Sequence, residues 1–171
     1  WRESNSLRHG RLPPPRLDGG ITRVHSGPMF LSVFDVFKIG VGPSSSHTMG
    51  PMIAAGRFLA EIAGGDWPRP TGSQVAALRV SLHGSLAFTG VGHGTGRAIV
   101  LGLAGHAPDT VDPDEIEAIV AAVEASGQVT PEGHPPYRFR PAHDLVYDRA
   151  ERLPGHSNGL QFYALDTNGS V

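Results

Sequence analysis

An α+β domain is the fold class this sequence predicts, and three observations predict it. Leu78, Val80 and Leu82 alternate with Arg79, Ser81 and His83, the period of two expected of a strand with one face on a core. Met52, Ala55, Leu59 and Ile62, and later Ile116, Ile119, Val120 and Val123, recur at helical spacing. Gly 23 and Pro 15 exceed their usual combined share of about 12%, so turns and loops carry much of the chain.

Composition sets the outer limits. At 171 residues, with 39% hydrophobic and 18% charged content, the sequence suits one domain able to bury roughly two-thirds of its unfolded surface. A formal net charge of −2 argues against a phosphate-backbone binder, which needs a clustered basic face, so nucleic acid is not an expected partner. No apolar run approaches the ~20 residues needed to span a bilayer, and no charged-then-apolar leader is visible. With Cys 0 there is no disulfide framework, which is compatible with a cytoplasmic location.

Residues 1–28 mix Arg8, His9, Arg11, Arg16 and Arg23 with Pro13, Pro14, Pro15, Gly19 and Gly20 and show no apolar periodicity. They are expected to be a disordered extension and not a targeting peptide. From Met29 the pattern becomes periodic. Leu31, Phe34 and Phe37 predict a short amphipathic helix ending near Gly40, with Ser32 as its N-cap. A second helix is predicted from about Pro51 to Ala63, stopped by Gly64 and Gly65. Asp66 to Ser73, holding Trp67, Pro68, Pro70 and Gly72, reads as a loop before the alternating strand.

Further on, Ile99, Val100 and Leu103 mark a helix after Thr95 that Gly105 closes. Asp112, Pro113, Asp114 and Glu115 combine a capping box with proline at the first helical position, ahead of the Ile116–Val123 stripe. Asp144 to Tyr147 and Leu160 to Leu165 read as strands, the second led in by Asn158 and Gly159. Asp166, Thr167, Asn168 and Gly169 form a strong turn signal, because Asn and Gly tolerate positive φ. The sequence strand that should follow this turn is expected to be cut short on the C-terminal side.

The stretch from Lys38 to Pro51 carries the densest chemistry. Gly40, Gly42 and Pro43 turn the backbone, and Ser44, Ser45, Ser46, His47 and Thr48 load it with small polar side chains. The loop empties into a helix, whose free N–H groups and dipole favour an anion. A Ser/Gly-rich turn ahead of a capped helix fits the same spacing. A second cluster, Thr89, Gly90, Val91, Gly92, His93, Gly94 and Thr95, lets flanking glycines expose an imidazole whose ordinary pKa lies near 6.5. It lacks both the lysine of a P-loop and dinucleotide-loop spacing, and the histidines show no metal-binding pattern on a helix, so spacing assigns no metal site.

Phe34 through Met52 closely resembles the opening of the β domain of bacterial iron–sulfur-dependent L-serine dehydratases (L-serine ammonia-lyases). Leu82 to Thr95 is similar to that family's Gly-Ser-Leu-Ala…Thr-Gly-x-Gly-His-Gly-Thr segment, and Leu153 to Gly159 to its Leu-Pro-x-His-x-Asn-Gly. The resemblance covers roughly Met29 to Val171, in matching order. It implies a small mixed β-sheet packed with helices, like the allosteric substrate-binding domain of some phosphoglycerate dehydrogenases, with residues 29–171 as the domain.

The resemblance further implies conversion of L-serine to pyruvate and ammonia, an amino-acid-catabolic and gluconeogenic reaction, in a cytoplasmic homodimer. It matches His93 to the family histidine thought to take the α-proton. Ser45, Ser46, His47 and Thr48 become candidate substrate-binding residues. His156 and Asn158 match too and read first as loop-structuring. The four-iron, four-sulfur cluster would sit in a catalytic domain, in the same chain or a separate subunit, since this cysteine-free chain offers no thiolates; alone it is expected to be inactive. The other function class left open is a non-catalytic, regulatory module binding a small anion or amino acid.

Overall fold

The computed structural model describes residues 41–42, 44–65 and 74–169. The expected extension over residues 1–28, the helix around Leu31–Phe37 and the Asp66–Ser73 loop lie outside these residues. In chain order the elements are α1 (Met49–Gly64), β1 (Ala77–Gly84), α2 (Ser85–His93), α3 (Thr95–Leu103) and α4 (Ile116–Ser126). Then follow β2 (Gln128–Val129), β3 (Tyr137–Arg138), α5 (Pro141–Asp144), β4 (Leu145–Asp148) and β5 (Asn158–Leu165).

The sheet is organised around β1. β5 runs antiparallel along its whole length, with Ala77 opposite Leu165 and Gly84 opposite Asn158. The other edge is shared by two short parallel partners: β3 meets Ala77, and β4 pairs Leu145 to Asp148 with Val80 to His83. The single turn α5 steps the chain from the first to the second, and β2 adds an antiparallel partner to β3. Among the described residues, five helices pack with this five-stranded mixed sheet, so the α+β expectation holds.

The apolar alternation of β1 does what its period requires. Leu78, Val80 and Leu82 are fully buried against Ala55, Leu59 and Ile62 of α1 and Ile99, Val100 and Leu103 of α3. Each such side chain contributes roughly 1.5–3 kcal/mol by leaving water. A second cluster joins Val41, Met52, Ala98, Leu101 and Ile116. Helices α1 and α3 approach closely because Gly102 carries no side chain: a Cβ there would lie 2.5 Å from the Met52 carbonyl and 2.7 Å from Ala55 Cβ.

Several boundaries differ from the sequence reading. Helix α1 ends as expected at a left-handed Gly65, φ 72°, whose N–H reaches Glu61 O. The predicted capping box at Asp112 does not form, because Asp112 Oδ1 accepts the N–H of Asp114 in a turn and α4 begins only at Ile116. The strand expected at Asp144 starts at Leu145, Asp144 being the last residue of α5. Asn158 and Gly159 lie inside β5 and do not precede it. The final turn is present, with Gly169 at φ 80° and its N–H on Asp166 O.

The polar face of β1 departs most from expectation. Ser81 and His83 are buried too, so β1 is covered on both faces beyond Arg79.

Candidate active site

The Thr89–Thr95 segment is not a loop. Its glycines notwithstanding, Ser85 to His93 form α2, set off by Gly84 at φ 59° and Gly94 at φ 73°. Leu86, Ala87 and Gly90 face inward, and Gly90 lets α2 press on Thr95 and Tyr147. Tertiary packing thus outweighs the roughly 1 kcal/mol that a helical glycine costs. His93 is therefore presented from the last turn of a helix, where a basic side chain suits the dipole.

The hydrogen-bond partners fix the two ring states. His93 Nδ1 lies 2.9 Å from the carbonyl oxygen of Thr89. A carbonyl only accepts, so Nδ1 carries the proton, and in the neutral ring Nε2 is a bare base. His47 takes the opposite tautomer. The Thr89 hydroxyl donates to Ser85 O at 2.8 Å, so Thr89 Oγ1 accepts from His47 Nε2–H at 2.8 Å. His47 Nδ1 then accepts from Ser46 Oγ at 3.0 Å, with Ser44 Oγ at 3.3 Å.

The two imidazoles lie 4.7 Å apart between centroids, tilted by 35°. Burial, and next the neighbouring His93, hold the His47 pKa below its ordinary 6.5, so His47 favours the neutral form. One threonine serves both rings: its side chain orients His47 and its carbonyl orients His93. Thr89 is the site residue that sequence reading missed, although its i, i+4 relation to His93 was visible.

The remaining loop candidates separate into two groups. Ser45 and Ser46 are exposed. Thr48 is fully enclosed, its hydroxyl donating to Ser44 O at 2.7 Å and its methyl seated against Gly42. The expected anion cradle at the start of α1 is also largely used up by the loop itself. The N–H groups of His47 and Thr48 bond Ser44 O, and that of Gly50 bonds Ser45 O. His156 Nδ1 accepts the N–H of Asn158 at 2.9 Å, as a loop-structuring role requires.

A cavity of about 560 Å³ opens beside the first turn of α2, lined in part by Ser85, Phe88, Arg152, His156 and Ser157. Ser85 and Phe88 share a helix face with Thr89, so the cavity adjoins the histidine pair without containing it. The mouth is held by Gly84, where any Cβ would collide with the Ser157 carbonyl, and by the Ser85 N–H donating to that oxygen at 2.8 Å.

A serine-rich turn and a glycine-bounded helix thus bring two imidazoles of opposite tautomer together on an α+β domain. Residues 32–171 match the family described as serine dehydratase beta chain, and the chain belongs to it. It is 42% identical over 142 residues to an L-serine dehydratase of Streptomyces coelicolor, covering 83% of this chain and 30% of the relative. An L-serine dehydratase of Mycobacterium tuberculosis is 43% identical over 143 residues, 84% of this chain and 30% of the relative. L-serine dehydratase 2 of Escherichia coli is 41% identical over 136 residues, 79% of this chain and 29% of the relative. The chain thus spans about 30% of the length of the curated relatives it matches.

Proposed function

We propose that this chain is the β domain of an L-serine ammonia-lyase, supplying its general base and part of its substrate grip. The observation that supports this reading best is the bond from His93 Nδ1 to the Thr89 carbonyl, which leaves Nε2 to receive a proton. Imidazole is the side chain most often used as a general base near neutral pH. Its task is the weakly acidic α-proton of L-serine. That proton passes to Nε2, its electron pair forms the Cα–Cβ double bond, and hydroxide leaves Cβ. The aminoacrylate so formed takes up water and releases ammonia to give pyruvate.

His47, kept neutral, contacts or orients the substrate beside His93, with Ser45 and Ser46 as exposed hydroxyls and Thr48 shaping their turn. The family resemblance implies a four-iron, four-sulfur cluster, but Cys 0 does not fit one here, so no step is assigned to it in this chain. Expulsion of hydroxide belongs to the catalytic partner domain. The folded domain is taken to start near Met29 and to work in a homodimeric cytoplasmic enzyme.

A second reading, a regulatory module for a small anion or amino acid, draws on the cavity at Arg152, His156 and Ser157. One experiment separates them. Joined to its catalytic domain, the chain should support pyruvate release from L-serine, and His93→Ala should stop it. Serine binding at the cavity, abolished by Arg152→Ala without any turnover in the joined protein, would favour the regulatory reading.

A further inference from the structure

Behind β1, on the face away from the apolar core, the fold gathers residues that lie far apart in sequence. His83 is 2% exposed and its Nε2 is 2.8 Å from Ser81 Oγ. Ser81 Oγ lies 3.5 Å from Tyr163 Oη, which donates to Gln161 Oε1 at 2.7 Å. With the Tyr163 proton committed to Gln161, Ser81 can pass its own proton to Tyr163 and accept one from His83 Nε2–H. In the metal-free chain the Glu151 carbonyl, which only accepts, keeps the proton on Nδ1; an ion at Nδ1 would shift that proton to Nε2, where Ser81 can accept it.

Two carboxylates wait at the β4–β5 connection. Asp148 Oδ1 accepts the N–H groups of Ala150 at 2.9 Å and Glu151 at 3.0 Å, folding a tight turn that returns Glu151 to the same spot. One ring nitrogen of His83 and one carboxylate oxygen each from Asp148 and Glu151 lie within 4.8 Å of one another. The Glu151 carbonyl, which accepts from Nδ1–H at 3.3 Å, is the partner an ion would replace there. Glu151 is exposed, so its side chain is free to draw in to the ~2.0–2.2 Å ligand distances of a zinc-like ion.

We infer that His83, Asp148 and Glu151 form a binding site for a divalent transition-metal ion, fastening the turn after β4 to the central strand. One imidazole with two carboxylates suits zinc, manganese or ferrous iron, with water completing the shell. A ligating histidine typically donates its other N–H to an oriented partner, the role Ser81 takes here. The fastened turn runs directly into Arg152 to Ser157, which wall the cavity beside α2. The site is separate from the His47–His93 pair, and neither depends on the other.

The test uses the 171-residue chain, stripped with a chelator and titrated with zinc by calorimetry and with cobalt by visible absorption. The expected result is one ion per chain with cobalt d–d bands and a raised melting temperature. His83→Gln should abolish it, Glu151→Gln, at an exposed position that leaves the fold intact, should weaken it by at least ~10-fold, and Ser81→Ala should weaken it by roughly 10-fold through loss of orientation. His156→Ala, outside the site, should bind as the parent does. Failure of the parent chain to bind zinc or cobalt would overturn the inference. So would unchanged stoichiometry and affinity in Glu151→Gln and folded His83→Gln, since the ion would then be held by other groups.

Discussion

Helices α2 and α3 are neighbours across Gly94, equal in length at nine residues, and each holds two glycines, yet they do opposite work. Helix α3 buries seven of its residues and is a packing element. Helix α2 buries three and leaves Phe88 and Val91 exposed, so it is a platform that carries Thr89 and His93 on a narrow apolar base. Their glycines differ accordingly. Gly102 in α3 is where α1 makes its closest approach, whereas a Cβ at Gly92 in α2 would meet nothing within 4 Å. Helix propensity alone treats the two glycines alike, and the surroundings decide what each is for.

The largest effect expected from this contrast is on stability at α3. Gly102→Val forces side-chain atoms into the Met52 carbonyl and Ala55, and should cost about 3 kcal/mol or more, read as a fall in the urea midpoint. A midpoint unchanged by that substitution would mean that α1 and α3 are not held as tightly as described. Next comes Thr89→Val, which keeps shape but leaves the buried His47 Nε2–H without its acceptor. It should cost about 1–3 kcal/mol and release His47 from its fixed tautomer, while His93 keeps its bond to the backbone carbonyl of residue 89. Nitrogen NMR of the parent should show the proton on Nε2 of His47 and on Nδ1 of His93, and the variant should show a mixture at His47 alone. Matching tautomers in the parent would break the assignment.

A smaller effect follows from His47. Because its folded pKa lies below the ordinary 6.5, the unfolded chain takes up the proton first on acidification. The contribution of His47 is therefore constant above about pH 6.5 and stability declines below it, down to the folded pKa. His47→Gln should flatten that part of the acid limb relative to the parent, and an unaltered limb would place the titration elsewhere. Smallest is Gly92→Ala, which should be neutral or stabilise by roughly 0.5–1 kcal/mol, since it relieves a helical glycine in open space. Marked destabilisation there would show that α2 is packed on more than its narrow base.

The same two helices show how far the sequence could be read. Helix α3 was legible from Ile99, Val100 and Leu103, as were α1 and the inward residues of β1, because apolar periodicity reports burial directly. Helix α2 was not, since Gly90 and Gly92 read as a loop until Thr95 and Tyr147 are seen to close on Gly90. His47 and His93 were found as candidates through their motifs. Their link through Thr89 was hidden by the 42 residues separating His47 from it. The polar alternation of β1 misled in one respect. Ser81 and His83 looked solvent-facing, but the chain returns from the β4–β5 connection, with Glu151 O at His83 68 residues later, to cover them. The turn at Asp112 shows the limit of capping signals, which identified a helix start but not its residue.

The account rests on α2 presenting a base, and the most direct measurement is turnover by the assembled enzyme with His93→Ala. If Nε2 of His93 takes the α-proton of L-serine, kcat should fall by roughly 10²–10⁴ while the fold is unchanged. His47→Ala, measured alongside, should act mainly through KM, as a contact made in both ground and transition states does. A His93→Ala enzyme with near-normal kcat, or one whose loss of activity tracks loss of its fold, would contradict the assignment and leave α2 a structural helix.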